Sequence, residues 1–315
     1  MLAAKSVKRR QMPICLEAAA TGNHDICSAI DRHRQLIGEL LLMHGAVLFR
    51  GFPVESAAGF EGAVATFSGK APLDYVGGVS PRRHLEAARV YTSTEYPSEW
   101  TIPLHNELSY SSRFPDHVYF CCFLEPAAGG GTTLGDSRRI LGRIGDAAAN
   151  LFRDKQIRYV RSLAGEPGSG YSWQDAFETE DRKTVERACL EAGSEFEWIG
   201  ECLRISDVRP ATTFHPKTGE EVWFNQADGF HISNATGSGC RSRDQQIPRL
   251  QAFFGDGTPI CPTLIEQVRE AVRAETIVHR WQKGDMLILD NRLAAHGREP
   301  FAGPRKIAVA MSRTS

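Results

Sequence analysis

The chain has 315 residues, 42% of them hydrophobic, and a formal net charge of −1 at pH 7. That length accommodates one β-rich domain over residues 1–315, and the near-neutral balance excludes a strongly basic nucleic-acid surface, a polybasic membrane patch and a long disordered tail. The apolar stretch Ile37–Leu42 is too short to cross a bilayer and lacks signal-peptide flanks, so a cytoplasmic protein with a small-molecule or carrier-protein partner is expected.

In chain order, Ile30, Leu36, Ile37, Leu40 and Leu41 have the spacing of a helix over 28–44, and Gly45 then opens a strand from Ala46 to Phe49. The run Thr101–Tyr110 carries His105 and Glu107 two positions apart; if it is extended, side-chain alternation puts both on one face. The aromatic and β-branched run His117–Leu124 predicts a core strand, and the glycines at 129–131 predict a turn rather than a phosphate loop, since no Gly-Lys-Ser/Thr follows. Ile140, Leu141, Ile144 and Leu151 predict a helix over 136–152 capped by Asp136 or Ser137, and another helix is expected over 181–192. Met286–Leu289 and Ile307–Met311 read as buried strands. Strands separated by long insertions, without regular βαβ alternation, favour a β-rich α+β fold: a double-stranded β-helix (jelly-roll) core with flanking helices.

His296 follows the Met286–Leu289 run and the polar turn Asp290-Asn291-Arg292. Two neutral imidazoles and one carboxylate on one side of a metal, with other positions open, form the facial triad of iron(II) oxygenases. By itself His-x-Glu is a weak signal. The eight cysteines, at 15, 27, 121, 122, 189, 202, 240 and 261, have no metal-ligand spacing and read as reduced structural thiols.

A wider set of segments makes the signal specific: Gly77-Gly-Val-Ser-Pro-Arg82, Val90-Tyr-Thr-Ser-Thr-Glu-Tyr96, Leu104-His-Asn-Glu-Leu-Ser-Tyr110, Gly130-Gly-Thr-Thr133 with Asp136-Ser-Arg138, Val222-Trp-Phe-Asn-Gln226, and Asp290-Asn291 through His296-Gly-Arg-Glu-Pro-Phe301. In these the chain resembles the taurine dioxygenase/clavaminate synthase-like superfamily, and within it the stand-alone hydroxylases of nonribosomal-peptide pathways, such as the syringomycin aspartate hydroxylase. The resemblance runs from about residue 75 to the C-terminus. It implies that His105, Glu107 and His296 bind Fe(II), that Thr132 and Arg305 hold 2-oxoglutarate, and that O₂ is the other co-substrate. Some relatives use the second of two basic residues, here Lys306; Arg305 is preferred because a guanidinium fork suits a planar carboxylate, and strand alternation would admit only one of the two to the pocket.

The resemblance also implies hydroxylation of an unactivated C–H bond of an amino acid or amino-acid-derived intermediate, free or carrier-tethered, with release of succinate and CO₂. Family halogenases carry a small residue in place of the carboxylate, so Glu107 argues against halogenation. Desaturation or cyclisation of a small metabolite and a non-catalytic jelly-roll ligand-binding protein are the alternatives. His117, His215 and His231 are expected to be packing or surface residues, Asn225 and Gln226 to be amides near substrate or bonded to backbone, and Asp285, Asp290 and Asn291 to serve turns. Arg298 reads equally as an anion-binding or an exposed group, while Arg82, Arg138 and Arg313 receive no site role. Nothing in the sequence reports the oligomeric state.

Overall fold

The run His117–Leu124 forms an inner strand of a seven-stranded sheet in the computed structural model, which describes residues 3–4, 12–19, 24–80, 82–85, 89–165, 171–234, 241–242, 245–246 and 249–313. Pro81, Cys240 and residues 86–88 and 166–170 lie outside the described residues. The sheet runs in the order Ala3–Ala4, Ile14–Glu17, Ala46–Arg50, Met286–Asp290, His117–Leu124, Lys306–Ser312 and Tyr91–Thr92.

Side-chain alternation explains why these strands read as continuous apolar runs. Leu48, Phe120, Leu287 and Val309 enter one core, while Val47, Tyr119, Ile288 and Ala308 enter another. The second core is closed by the helices Ile26–His44 and Ala57–Ser68, through Ile30, Ile37, Leu41, Phe60 and Val64. The first is closed by a four-stranded sheet ordered Ile277–His279, Thr132–Asp136, Ala294–Arg298, Ile102–His105, which contributes Leu134 and Ala294. A sheet buried on both faces has no solvent face on which to place polar residues.

A further four-stranded sheet, Glu195–Ile199, Cys202–Arg209, Ile157–Leu163 and Leu250–Phe254, packs Leu163, Leu203 and Ile205 on Trp173, Ala176, Val185 and Cys189. Helix Arg182–Ala192 agrees with the helix expected over 181–192. Among the described residues, no helix is long and apolar enough to cross a membrane, and the described cysteines are free thiols.

Three local expectations are corrected. The helix expected over 136–152 is two helices, Ser137–Ile144 and Asp146–Lys155, because Gly145 between them has φ +83°, which an α-helix does not admit. Asp136 does cap the first, accepting from the backbone N–H groups of Arg138 and Arg139. Leu36 and Leu151, assigned to apolar helix faces, are instead exposed. Finally, the last strand starts at Lys306 with a register shift between Lys306 and Ile307, so simple alternation does not extend back to Arg305.

Candidate metal centre and co-substrate pocket

Two neighbouring antiparallel strands of the smaller sheet place the histidines opposite each other. His296 on Ala294–Arg298 is paired in register with His105 on Ile102–His105, and the ring centroids are 4.5 Å apart. Gly297 sits where the strands leave no room for a side chain: a Cβ there would meet the Ile102 carbonyl oxygen at 2.4 Å. A side chain at this position would force apart the strands that carry the imidazoles.

Glu107 reaches the same point by a different route from the one expected. The strand ends at His105, and Glu107 opens a turn in which Leu108 has φ +54°. The turn is held by Asn291, whose Oδ1 accepts from the Glu107 N–H at 2.7 Å and whose Nδ2 donates to the carbonyls of Glu107 at 3.0 Å and Pro115 at 2.9 Å. Asn106 donates back to the Asn291 carbonyl at 2.7 Å. The Asp290–Asn291 turn therefore holds the carboxylate-bearing turn in place.

One ligand atom from each of His105, Glu107 and His296 lies within 4.8 Å of the others, close enough to hold one metal ion. The donors fit such an ion. His105 Nδ1 lies 2.9 Å from the Pro103 carbonyl, which fixes its proton there and leaves Nε2 for a metal. Burial and the facing His296 push the His105 imidazole down to about 4, so it is neutral at physiological pH. Burial opposes charge on Glu107, but Arg82 and the two imidazoles outweigh it and hold the carboxyl below the usual carboxylate range. Two imidazole nitrogens and one carboxylate suit a divalent first-row metal.

Arg82, given no site role from sequence, is part of this centre. Its Nη2 donates to Glu107 Oε2 at 2.7 Å, both side chains are 4% exposed, and the guanidinium lies 4.2 Å from the centroid of the Tyr75 ring. The only available signal was its place at the end of the Gly77–Arg82 segment.

A pocket next to the imidazoles is lined by Ser93, Thr132, Arg298 and Arg305, together with His105 and His296. Trp281 Nε1 donates to Thr132 Oγ1 at 3.0 Å; since an indole N–H can only donate, the threonine hydroxyl proton is directed elsewhere. Arg305 donates to the Gly130 carbonyl at 3.2 Å and to Ser93 Oγ at 3.0 Å. Gly130 (φ +66°) is in the glycine turn expected before Thr132. Burial, reinforced by Arg298, pushes the Arg305 guanidinium down to about 10. Lys306 is exposed and points elsewhere, its Nζ 5.6 Å from the centroid of the Phe123 ring. Arg298 is buried, which removes the exposed reading.

The remaining sequence candidates supply no ligand to the triad. His215 pairs with Asp290 at 3.0 Å, His231 bonds Ser233 and the Ile260 carbonyl, and His117 packs on Phe67. Asp285 pairs with Arg50. Arg138 pairs with Asp136 and Glu220, and Arg313 donates to the Phe114 carbonyl. Asn225 bonds the backbone of Ala211 and Ala227, and Gln226 donates to the Asn106 carbonyl; both also line a cavity beside His105. A neighbouring cavity of about 510 Å³ is walled by Tyr96, Trp100, Pro103, His231, Arg249 and Leu250.

Comparison with known proteins gives the family and the fold. Residues 9–311 match the family described as taurine catabolism dioxygenase TauD, TfdA. The chain is 36% identical over 303 residues to the dapdiamide synthesis protein DdaC of Enterobacter agglomerans, covering 95% of this chain and 90% of that one. It is 32% identical over 293 residues to a clavaminate synthase-like protein of Arabidopsis thaliana, covering 90% and 86%. Its fold is shared with PvcB, an Fe, alpha-ketoglutarate dependent oxygenase from an isonitrile synthetic pathway, at TM-score 0.56 and 17% identity over 99% of this chain and 91% of that one. It is shared also with asparagine oxygenase, solved with Fe(II), 3-hydroxyasparagine and succinate, at TM-score 0.53 and 16% identity over 92% and 79%.

Proposed function

The chain belongs to the TauD/TfdA family and is an iron(II)- and 2-oxoglutarate-dependent dioxygenase, and from that premise we propose that it hydroxylates an unactivated C–H bond of an amino acid or amino-acid-derived small molecule. The observation that carries the reading is the convergence of His105, Glu107 and His296 beside a pocket holding Arg305 and Thr132. The two facing sheets support a jelly-roll core, and the hydrophobic cluster joining Ala46 to Met311 supports a single domain.

In this reading His105, Glu107 and His296 hold Fe(II), Arg305 receives the distal carboxylate of 2-oxoglutarate, and the Thr132 hydroxyl donates to the same group. The chemistry that iron supplies when bound is the O₂-dependent oxidative decarboxylation of 2-oxoglutarate to succinate and CO₂, with oxidation of the substrate. The protein's own contribution is orientation and exclusion of water. Asn291 fixes the Glu107 turn, Arg82 fixes the carboxylate, and Phe120, 5.2 Å from the His296 ring centroid, covers one side of that imidazole. The cavities walled by Tyr96, Asn225 and Gln226 are the place for substrate. The printed names of DdaC and of asparagine oxygenase support an amino-acid-derived substrate, and the retained carboxylate at Glu107 supports hydroxylation over halogenation.

The test is a panel of amino acids and amino-acid amides incubated with Fe(II), 2-oxoglutarate and O₂, with succinate and product mass measured together. Succinate matched by the gain of one oxygen atom supports hydroxylation. Succinate matched by loss of two hydrogens would replace that reading with desaturation or cyclisation.

A further inference from the structure

Arg298 connects the co-substrate pocket with the loop that walls the neighbouring cavity. It lies two residues after His296 on the same strand and is 4% exposed. Its Nη1 donates to the Tyr96 carbonyl at 3.2 Å, and its Nη2 donates to the carbonyls of Pro97 at 2.7 Å and Trp100 at 2.9 Å. The Phe301 N–H adds a tie from the same region to the Ser98 carbonyl at 2.9 Å. Residues 96–100 have no helix or strand of their own, so these bonds set their path. Tyr96 and Trp100 are also the aromatic walls of the 510 Å³ cavity, with ring centroids 6.3 Å apart.

The other side of Arg298 faces the co-substrate pocket, which it lines with Arg305 and Thr132. Its Nε is buried and, among the described residues, has no hydrogen-bond partner. Both guanidiniums lie near the Phe301 ring, at 5.0 and 5.5 Å, and among the described residues neither forms a salt bridge with a carboxylate. A buried donor on a cation is costly when unmet, and a guanidinium has five donors to distribute. Three of the five go to the carbonyls of Tyr96, Pro97 and Trp100, and the buried Nε–H is among those left over on a residue that lines the co-substrate pocket.

We infer that Arg298 is a positioning residue that couples the two pockets: its Nε takes a carboxylate oxygen of the bound co-substrate while its Nη groups hold the 96–100 loop. Filling the co-substrate pocket then stiffens the wall of the substrate cavity, so that a substrate meets an already ordered surface. This rests on the assignment of the Arg305 pocket to 2-oxoglutarate.

The experiment uses the full chain loaded with Mn(II), with N-oxalylglycine as probe, and reads calorimetric affinity together with hydrogen–deuterium exchange of residues 94–101. In the wild type, N-oxalylglycine slows exchange of that segment. In Arg298→Met the affinity falls by about tenfold or more, and at saturation the segment exchanges as fast as without the probe. Arg305→Met, brought to saturation at higher concentration, keeps the protection. Arg298→Lys retains the charge without the fork; it binds the probe but loses the loop response, and it decides the question if the methionine variant does not fold. Wild-type binding with no change in the segment, or an undiminished response in the folded Arg298 variants, overturns the coupling and leaves the pocket assignment intact. No binding of the probe to the wild type overturns both.

Discussion

Arg82 donates to the Glu107 carboxylate at 2.7 Å with both side chains only 4% exposed, so the acid of the candidate triad already has a fixed counter-ion before any metal arrives. This pairing resolves an otherwise costly arrangement, a carboxylate buried away from water. It also orients the carboxylate toward His296, whose Nε2 lies 3.6 Å from the same oxygen.

Removing the partner leaves that charge buried alone. Arg82→Met is expected to lower the unfolding free energy of the metal-free chain by about 3–5 kcal/mol, measured by urea denaturation at pH 7.5. Pairing it with Glu107→Gln should recover part of the loss, because the buried charge is then gone. A loss below about 1 kcal/mol, the range of exposed pairs, would show that the pair does not act as a buried one.

The choice between the two basic residues at the final strand has a direct readout. Arg305 faces the pocket with Thr132 and the imidazoles, whereas Lys306 is exposed beside Phe123. Arg305→Met should weaken 2-oxoglutarate binding by roughly 10- to 150-fold, the loss of a charge-assisted hydrogen bond. Lys306→Met should change it by no more than about twofold. The reverse ranking in a calorimetric titration would move the anchor to Lys306.

A pH dependence follows from His279, which is away from the triad. Burial lowers its imidazole from 6.5 to about 4, against Asp285 at 3.7 Å and with Arg50 adding to the effect. The folded-state value lies below the unfolded one, so the unfolded chain binds the proton more readily. The contribution is fully present above pH 6.5 and is lost as the pH falls toward 4. Stability should therefore drop across this window, with this group adding up to about 1.4 kcal/mol per pH unit. Urea midpoints for wild type and His279→Gln at pH 7.5, 6 and 5 check it: the variant should show a shallower decline. Parallel curves would contradict the assignment.

What sequence made legible was local. The strand His117–Leu124 and the helix beginning near Asp181 could be read because periodicity and caps are properties of neighbouring residues. The triad was reached through the family segments, since His105 and His296 meet only by pairing across a sheet. The split at Gly145 escaped because the flanking apolar residues keep helical spacing through a glycine whose positive φ is a backbone property. Glu107 was placed on the strand because nothing local shows that Asn291, 184 residues away, pulls it into a turn. Arg82 received no role, and Arg298 stayed between an anion-binding and an exposed reading, for the same reason: an arginine's role is set by what it reaches, and their partners come from distant segments.

The most direct test of the central claim is an anaerobic optical titration of apo-protein with Fe(II) and then 2-oxoglutarate, run beside His105→Ala. The account predicts a weak visible charge-transfer band that needs both additions in the wild type and is absent in the variant. Folded wild-type protein that gives no such band, or a His105→Ala protein that gives the same one, would contradict the assignment of the metal to His105, Glu107 and His296.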